Sequence, residues 1–152
     1  MTDIQVGIVK STLPPEDGLT LHSMECFSEL GRPYEIDATL LTTRDIDGRM
    51  ESLLGTGMSL QIQLPDESGY RLFHGHVGQI QFEGYEGDRF RYKAVLHPWI
   101  WFLRHTSDNR IFQEMTVVQI IEEIFEKHGR SGAYTNKLNA TYPVREYCVQ
   151  YG

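Results

Sequence analysis

The stretch Arg91–Gly129 reads RYKAVLHPWIWFLRHTSDNRIFQEMTVVQIIEEIFEKHG, and its reading decides the fold. It opens inside a strand. Phe90, Tyr92, Ala94 and Leu96 fall on one face, Arg89, Arg91 and Lys93 on the other, the period-two pattern of a half-buried strand. Pro98 stops it, because proline donates no ladder hydrogen bond and biases His97 towards extended geometry. Trp99, Ile100, Trp101, Phe102 and Leu103 then form an apolar block too dense for a solvent loop. Ser107-Asp108-Asn109 is a turn signal, since short polar side chains bond their own backbone.

The stretch ends in one amphipathic helix. Thr116 is its N-cap, and Gln119 stands where a capping box needs it. Val117, Ile120, Ile121, Ile124 and Phe125 make one apolar stripe, while Gln119, Glu122, Glu123, Glu126 and Lys127 take the opposite face. Gly129 is placed to end the helix. Burying the stripe contributes about 7–15 kcal/mol gross. Ordering the helix backbone costs as much or more, so the helix forms only when packed on something. The Trp99–Leu103 block is the expected support.

The same residues carry a resemblance. Leu96, Pro98, Trp99, Leu103, Asn109, Arg110, Ile111, Phe112 and Gln113, then Val117, Ile120, Ile121 and Gly129, stand in the order found in VgrG proteins. Phe73-His74-Gly75-His76-Val77 is similar to that family's Phe-x-Gly-x-Val strand, and Tyr147-Cys148-Val149-Gln150-Tyr151 also matches. No one of these motifs is specific, but their collinearity is. The chain thus resembles the N-terminal region of the trimeric spike proteins of bacterial type VI secretion, relatives of the hub of contractile phage tails.

Outward from this stretch, the pattern is one of strands. Ile4, Val6 and Ile8 alternate with polar residues in a first strand, and Ser11–Gly18 is a loop rich in proline and glycine. Between Leu19-Thr20-Leu21 and the pair Met24 and Cys26 the apolar parity shifts, which predicts a bulge. Tyr34, Ile36, Ala38 and Leu40 line a further strand face, a short helical turn is expected near Arg49–Leu54, and Met58, Leu60, Ile62 and Leu64 alternate cleanly. Tyr70–Gly84 is long for one strand, and its parity slips around Gly75–Gly78. Glu86-Gly87-Asp88 turns it into the strand that opens the quoted stretch. The expected fold is α+β and mostly β: a small antiparallel β-barrel followed by a packed amphipathic helix, phage tail hub-like. Residues 1–113 are expected to form the first hub-like barrel domain. Residues 114–152 are expected to begin a following α/β segment, truncated at the end of this sequence.

Composition sets limits on function. The 152 residues are 40% hydrophobic and 23% charged, a globular balance. A net charge of −7 argues against nucleic acid, whose phosphates need clustered lysine and arginine. Cys26 and Cys148 lie far apart and have no metal-like spacing, so both are expected to be reduced and buried. No basic region followed by an apolar run opens the chain, so no signal peptide is expected, and no stretch has the length of a membrane helix.

Candidate chemical groups find bland explanations. His74 and His76 form a His-x-His pair on one strand face, but no third ligand is tied to them by spacing. His97, His105, Ser107 and Asp108 lack the Gly-x-Ser-x-Gly elbow of a hydrolase triad. Glu122, Glu123 and Glu126 lie on the solvated helix face. Trp99 and Trp101 can stack bases or sugars, yet without interleaved basic residues core packing is the better reading. Arg110, in its turn between two apolar blocks, either bridges backbone carbonyls or makes a charge-assisted contact across an interface, and the sequence leaves both open. No catalytic, cofactor-binding or metal residue is therefore expected, and the chain is read as no enzyme and as needing no cofactor. The resemblance implies the N-terminal base of a homotrimeric spike that sits on a hexameric, Hcp-like tube. It also implies effectors or adaptors as partners, synthesis in the cytoplasm, and export by the machine itself. The alternatives are a contractile phage tail baseplate hub and a metal-dependent hydrolase using His74 and His76.

Overall fold

The computed structural model describes residues 7–64, 68–130 and 132–151. The chain forms two compact units, Met1–Arg104 and His105–Gly152. In the first, β1 (Gly7–Lys10), β2 (Thr20–Phe27), β3 (Glu35–Thr42), β4 (Gly57–Gln63), β5 (Tyr70–Glu86) and β6 (Arg89–His97) close into a barrel in the order β1-β2-β3-β6-β5-β4. Neighbouring strands are antiparallel, and β1 closes the ring against β4.

Alternation builds the core as expected. Ile36, Ala38 and Leu40 of β3 meet Leu96, Ala94 and Tyr92 of β6 in register, and all six point inward at 1% exposure or less. Leu21, Met58, Leu60 and Val77 join them from β2, β4 and β5. The β3–β4 connection, with a 3-10 turn at Asp47–Arg49 and the short helix α1 (Met50–Leu53), adds Ile46 and Leu53 to the same cluster. Its approach is fixed by polar contacts. The Tyr92 hydroxyl accepts from the Ile46 N–H at 3.1 Å and lies 3.0 Å from an Asp47 carboxylate oxygen. Burial, with the Asp47 and Asp45 carboxylates adding to it, pushes that phenol's pKa well up. Arg49 reaches the buried Asp17 carboxylate at 2.6 Å, and Thr42 donates to the Asp17 carbonyl.

Both expected parity shifts are bulges. The β2–β3 register slips between Leu21 and Ser23. The 17-residue β5 pairs with β4 through its first part and with β6 through its second, and its register against β6 slips between Val77 and Gln79. The glycines there permit close approach. A Cβ on Gly75 would stand 2.8 Å from Leu96 Cβ, and one on Gly78 would stand 2.6 Å from His97 Cδ2.

Three expectations need correction or limits. In β1 the inward residues are Gly7 and Val9, while Ile8 is 48% exposed, because Val9 pairs with the inward Leu60. Ile4 and Val6 lie outside the described residues. Cys26 is exposed and Cys148 half-buried, both with free thiols. The apolar block Trp99–Leu103 lies in a 3-10 helix, Trp99–His105, in which Ile100 is exposed.

In the second unit β7 (Arg110–Thr116) pairs with β8 (Val144–Gln150) as a two-stranded ribbon, and α2 (Val117–Lys127) packs on β7. The expected division after Gln113 falls inside β7; the chain divides between Arg104 and His105 because β7 takes β8 as its partner. The helix ends are as read. Thr116 Oγ1 accepts from the Gln119 N–H at 3.3 Å, and Gln119 Oε1 accepts from the Thr116 N–H at 2.8 Å. At the other end Gly129 takes φ +67°, with Gly129 N–H donating to Glu126 O and Arg130 N–H to Phe125 O, the paired bonds of a Schellman ending. The apolar stripe is only partly covered: Ile120 falls to 7% exposure, but Ile121 keeps 42%. Two strands spaced roughly 5 Å apart cover about one row of helix side chains.

Candidate assembly surfaces

The histidine pair of β5 makes hydrogen-bond and ring contacts. Ser59 and His74 pair across β4 and β5, with Ser59 Oγ 2.9 Å from His74 Nδ1, and Tyr34 donates its hydroxyl proton to the His74 carbonyl at 2.7 Å. The His74 and His76 rings meet edge to face at 5.7 Å, and His76 meets Phe102 at 6.1 Å. Among the described residues no group of three or more His, Cys, Asp or Glu side chains is arranged to hold a metal ion.

His97 ends β6 opposite His76 and is buried. Its ring lies flat on Trp101, with centroids 3.9 Å apart and planes 6° apart, in the space that Gly78 leaves open. Glu35 stands 3.8 Å from its Nδ1. Desolvation outweighs that carboxylate and lowers the imidazole pKa below its ordinary 6.5. The Trp101 ring also meets Phe102 edge to face at 5.1 Å, and the Arg104 guanidinium lies 5.9 Å from its centroid. Trp101 and Phe102 pack on the barrel's own His97 and His76. In the second unit α2 packs on β7, and Phe125 meets Tyr134 at 4.9 Å.

Arg110 makes a charge-assisted contact. Its Nε is 2.6 Å from Asp108 Oδ2, which also takes Lys127 Nζ at 2.5 Å, while Arg110 Nη1 reaches Glu123 at 3.6 Å. Lys127 and Arg110 together hold the Asp108 carboxyl below the ordinary range. Asp108 is thereby committed to tying the segment before β7 to the helix, and His97 to its tryptophan. Glu122 accepts from Asn136 at 3.2 Å, so the helix carboxylates have separate neighbours.

The surfaces that stand out are apolar and exposed, and sequence reading did not foresee their exposure. At the end of β2 Phe27 is 57% exposed, and in the β2–β3 loop Leu30 is 102% exposed. At the start of β5 Tyr70 and Leu72 are exposed, and at the β5–β6 hairpin Phe82, Tyr85 and Phe90 form an aromatic cluster at 5.2–6.3 Å. On the ribbon, Ile111 pairs with Val149 and Gln113 with Tyr147, which places exposed Ile111, Val149 and Tyr147 on one face. The available signal was the set of apolar residues out of phase with the core, Phe27, Tyr85 and Ile111 among them. No described helix is long and apolar enough to cross a membrane.

Comparison with known proteins gives these surfaces a context. The sequence model of the family described as phage tail baseplate hub (GPD) matches residues 28–152. The type VI secretion system spike protein VgrG1a of Pseudomonas aeruginosa is 40% identical over 135 residues, covering 89% of this chain and 20% of that protein. VgrG1c of the same organism is 38% identical over 143 residues, covering 94% of this chain and 19% of its own length. The chain therefore spans about a fifth of these relatives. A solved structure from E. coli, described as a type VI secretion component with structural similarity to T4 bacteriophage tail proteins gp27 and gp5, superimposes with a TM-score of 0.63 at 23% identity. It covers 86% of this chain and 39% of the other.

Proposed function

Since the chain belongs to the phage tail baseplate hub family, we propose that it serves as the base of a type VI secretion spike. In this reading it is a structural part that performs no reaction. The full-length protein trimerises, caps the hexameric tube, and carries effectors or their adaptors. It is made in the cytoplasm and leaves by the machine it belongs to. The barrel, Met1–Arg104, is the first hub barrel, and His105–Gly152 begins the following α/β segment.

The observation that carries this reading is the closed barrel with its core spent on packing, together with apolar side chains left outside it at Phe27, Leu30, Leu72 and Tyr85. Exposed apolar groups on a well-packed scaffold suit assembly. The family's own description keeps a second reading open, the same hub role in a contractile phage tail.

The test is to delete the gene and follow the tube protein. Loss of tube protein from the culture medium, restored by the full-length gene, is expected. Unchanged release of the tube protein would sink the secretion reading. Loss of assembled phage tails in its place would favour the phage one.

A further inference from the structure

The β2–β3 loop is the most exposed apolar feature of the barrel, and it is already ordered. Gly31 sits at φ +83°, the Arg32 N–H donates to Glu29 O at 3.3 Å, and Pro33 leads into Tyr34, whose hydroxyl pins the loop's end to His74 of β5 at 2.7 Å. A loop held in this way loses little freedom on binding. It nevertheless presents Leu30 fully to solvent and Phe27 at 57%.

The charges around it have one sign in excess. Glu25 and Phe27 lie on one face of β2, opposite Asp37 and Glu35 of β3. Lys93 neutralises Asp37 at 3.1 Å, and Arg32 lies 3.6 Å from Glu29. Glu35 lies 3.8 Å from Nδ1 of His97, whose imidazole pKa burial lowers. Beside the tip lies a concavity of about 480 Å³, lined by Phe27 and Pro33, by Glu29 and Glu35, and by Arg32.

We infer that the β2–β3 loop is a docking element for a protein surface that presents an apolar pocket rimmed by lysine and arginine. A second copy of the chain is a poor occupant, since it brings the same acidic loop and a net charge of −7. Anionic lipid and nucleic acid are repelled for the same reason. The inference rests on the spike reading above, in which this partner is the tube ring.

The test measures binding of the full-length protein to the purified tube-ring protein encoded with it, at low and at high salt. Leu30→Asp alters a side chain with no packing role, so its thermal midpoint should match wild type while its affinity falls about tenfold or more. Glu25→Lys should weaken binding and flatten its salt dependence. Wild-type binding that neither substitution alters would overturn the docking role and leave the spike reading intact. No wild-type binding at either salt concentration would overturn both.

Discussion

The two units are stabilised in different ways. In the barrel, each strand has a neighbour on both sides, and core side chains from five of its strands and from the β3–β4 connection are 1% exposed or less. In the ribbon–helix unit only Phe112 and Ile120, among its described apolar side chains, fall to 5% and 7%. Beyond these it has the capped ends of α2 and the Asp108–Arg110–Glu123–Lys127 charges. Exposed charge pairs of this kind contribute little. A unit of this size with so small a core has little margin, and it gains most from anything that covers its open face. The difference teaches that sheet closure lets apolar pairing stabilise a unit without outside help.

The largest test of this contrast is Leu40→Ala. It should destabilise the barrel by about 2–5 kcal/mol, read by denaturant titration, while hydrogen exchange in α2 stays unchanged. If exchange in the helix rises in step, the two units unfold as one and the contrast fails. Next is Gly78→Ala, whose added Cβ would meet His97 at 2.6 Å. A cost of about 1–3 kcal/mol is expected, with a change in tryptophan fluorescence as His97 and Trp101 are forced apart. An unchanged spectrum would show that the stack yields without effort.

Thr116→Ala should cost about 1 kcal/mol and act on α2 alone, read as faster exchange of its first-turn amides with the barrel's midpoint constant. The smallest effect is the pH response of His97. Its folded pKa lies below its ordinary 6.5, so the unfolded chain binds the proton more readily. The contribution is therefore fully present above pH 6.5 and is lost as pH falls through the lower folded value. Denaturation midpoints at pH 7.5 and 5.5 should fall further for wild type than for His97→Phe. The reverse order would mean that Glu35, not burial, governs the ring.

The readable parts of the sequence were those whose determinants are local. Tyr92, Ala94 and Leu96 alternate with basic neighbours, Thr116 and Gln119 cap within one turn, and Gly129 ends the helix at positive φ. Parity slips marked the bulges after Leu21 and Val77, because a lost phase is visible without knowing the partner. The pairing of β7 with β8 was not legible. Arg110 meets Gln150 across the whole helix and the loop that follows it, and Glu114, at φ +52°, interrupts the alternation that would mark a strand. The placement of Trp101 was hidden in the same way, since its neighbour His97 is close in sequence but the space for it is made by Gly78 on another strand. Cys26 and Ile8 show the same limit: β1 and β2 are apolar at residues the core does not use.

The double pairing of β5 has a mechanical consequence. Its first part is bonded to β4 and its second to β6, with His76 paired to both. Tension applied along the strands between β4 and β6 would pass through both ladders in shear, joined by the covalent backbone of β5, so neither would peel away rung by rung. Forced unfolding is governed by the height of the barrier to rupture, not by the depth of the folded well. A barrel threaded by one such strand should yield abruptly and late along that axis.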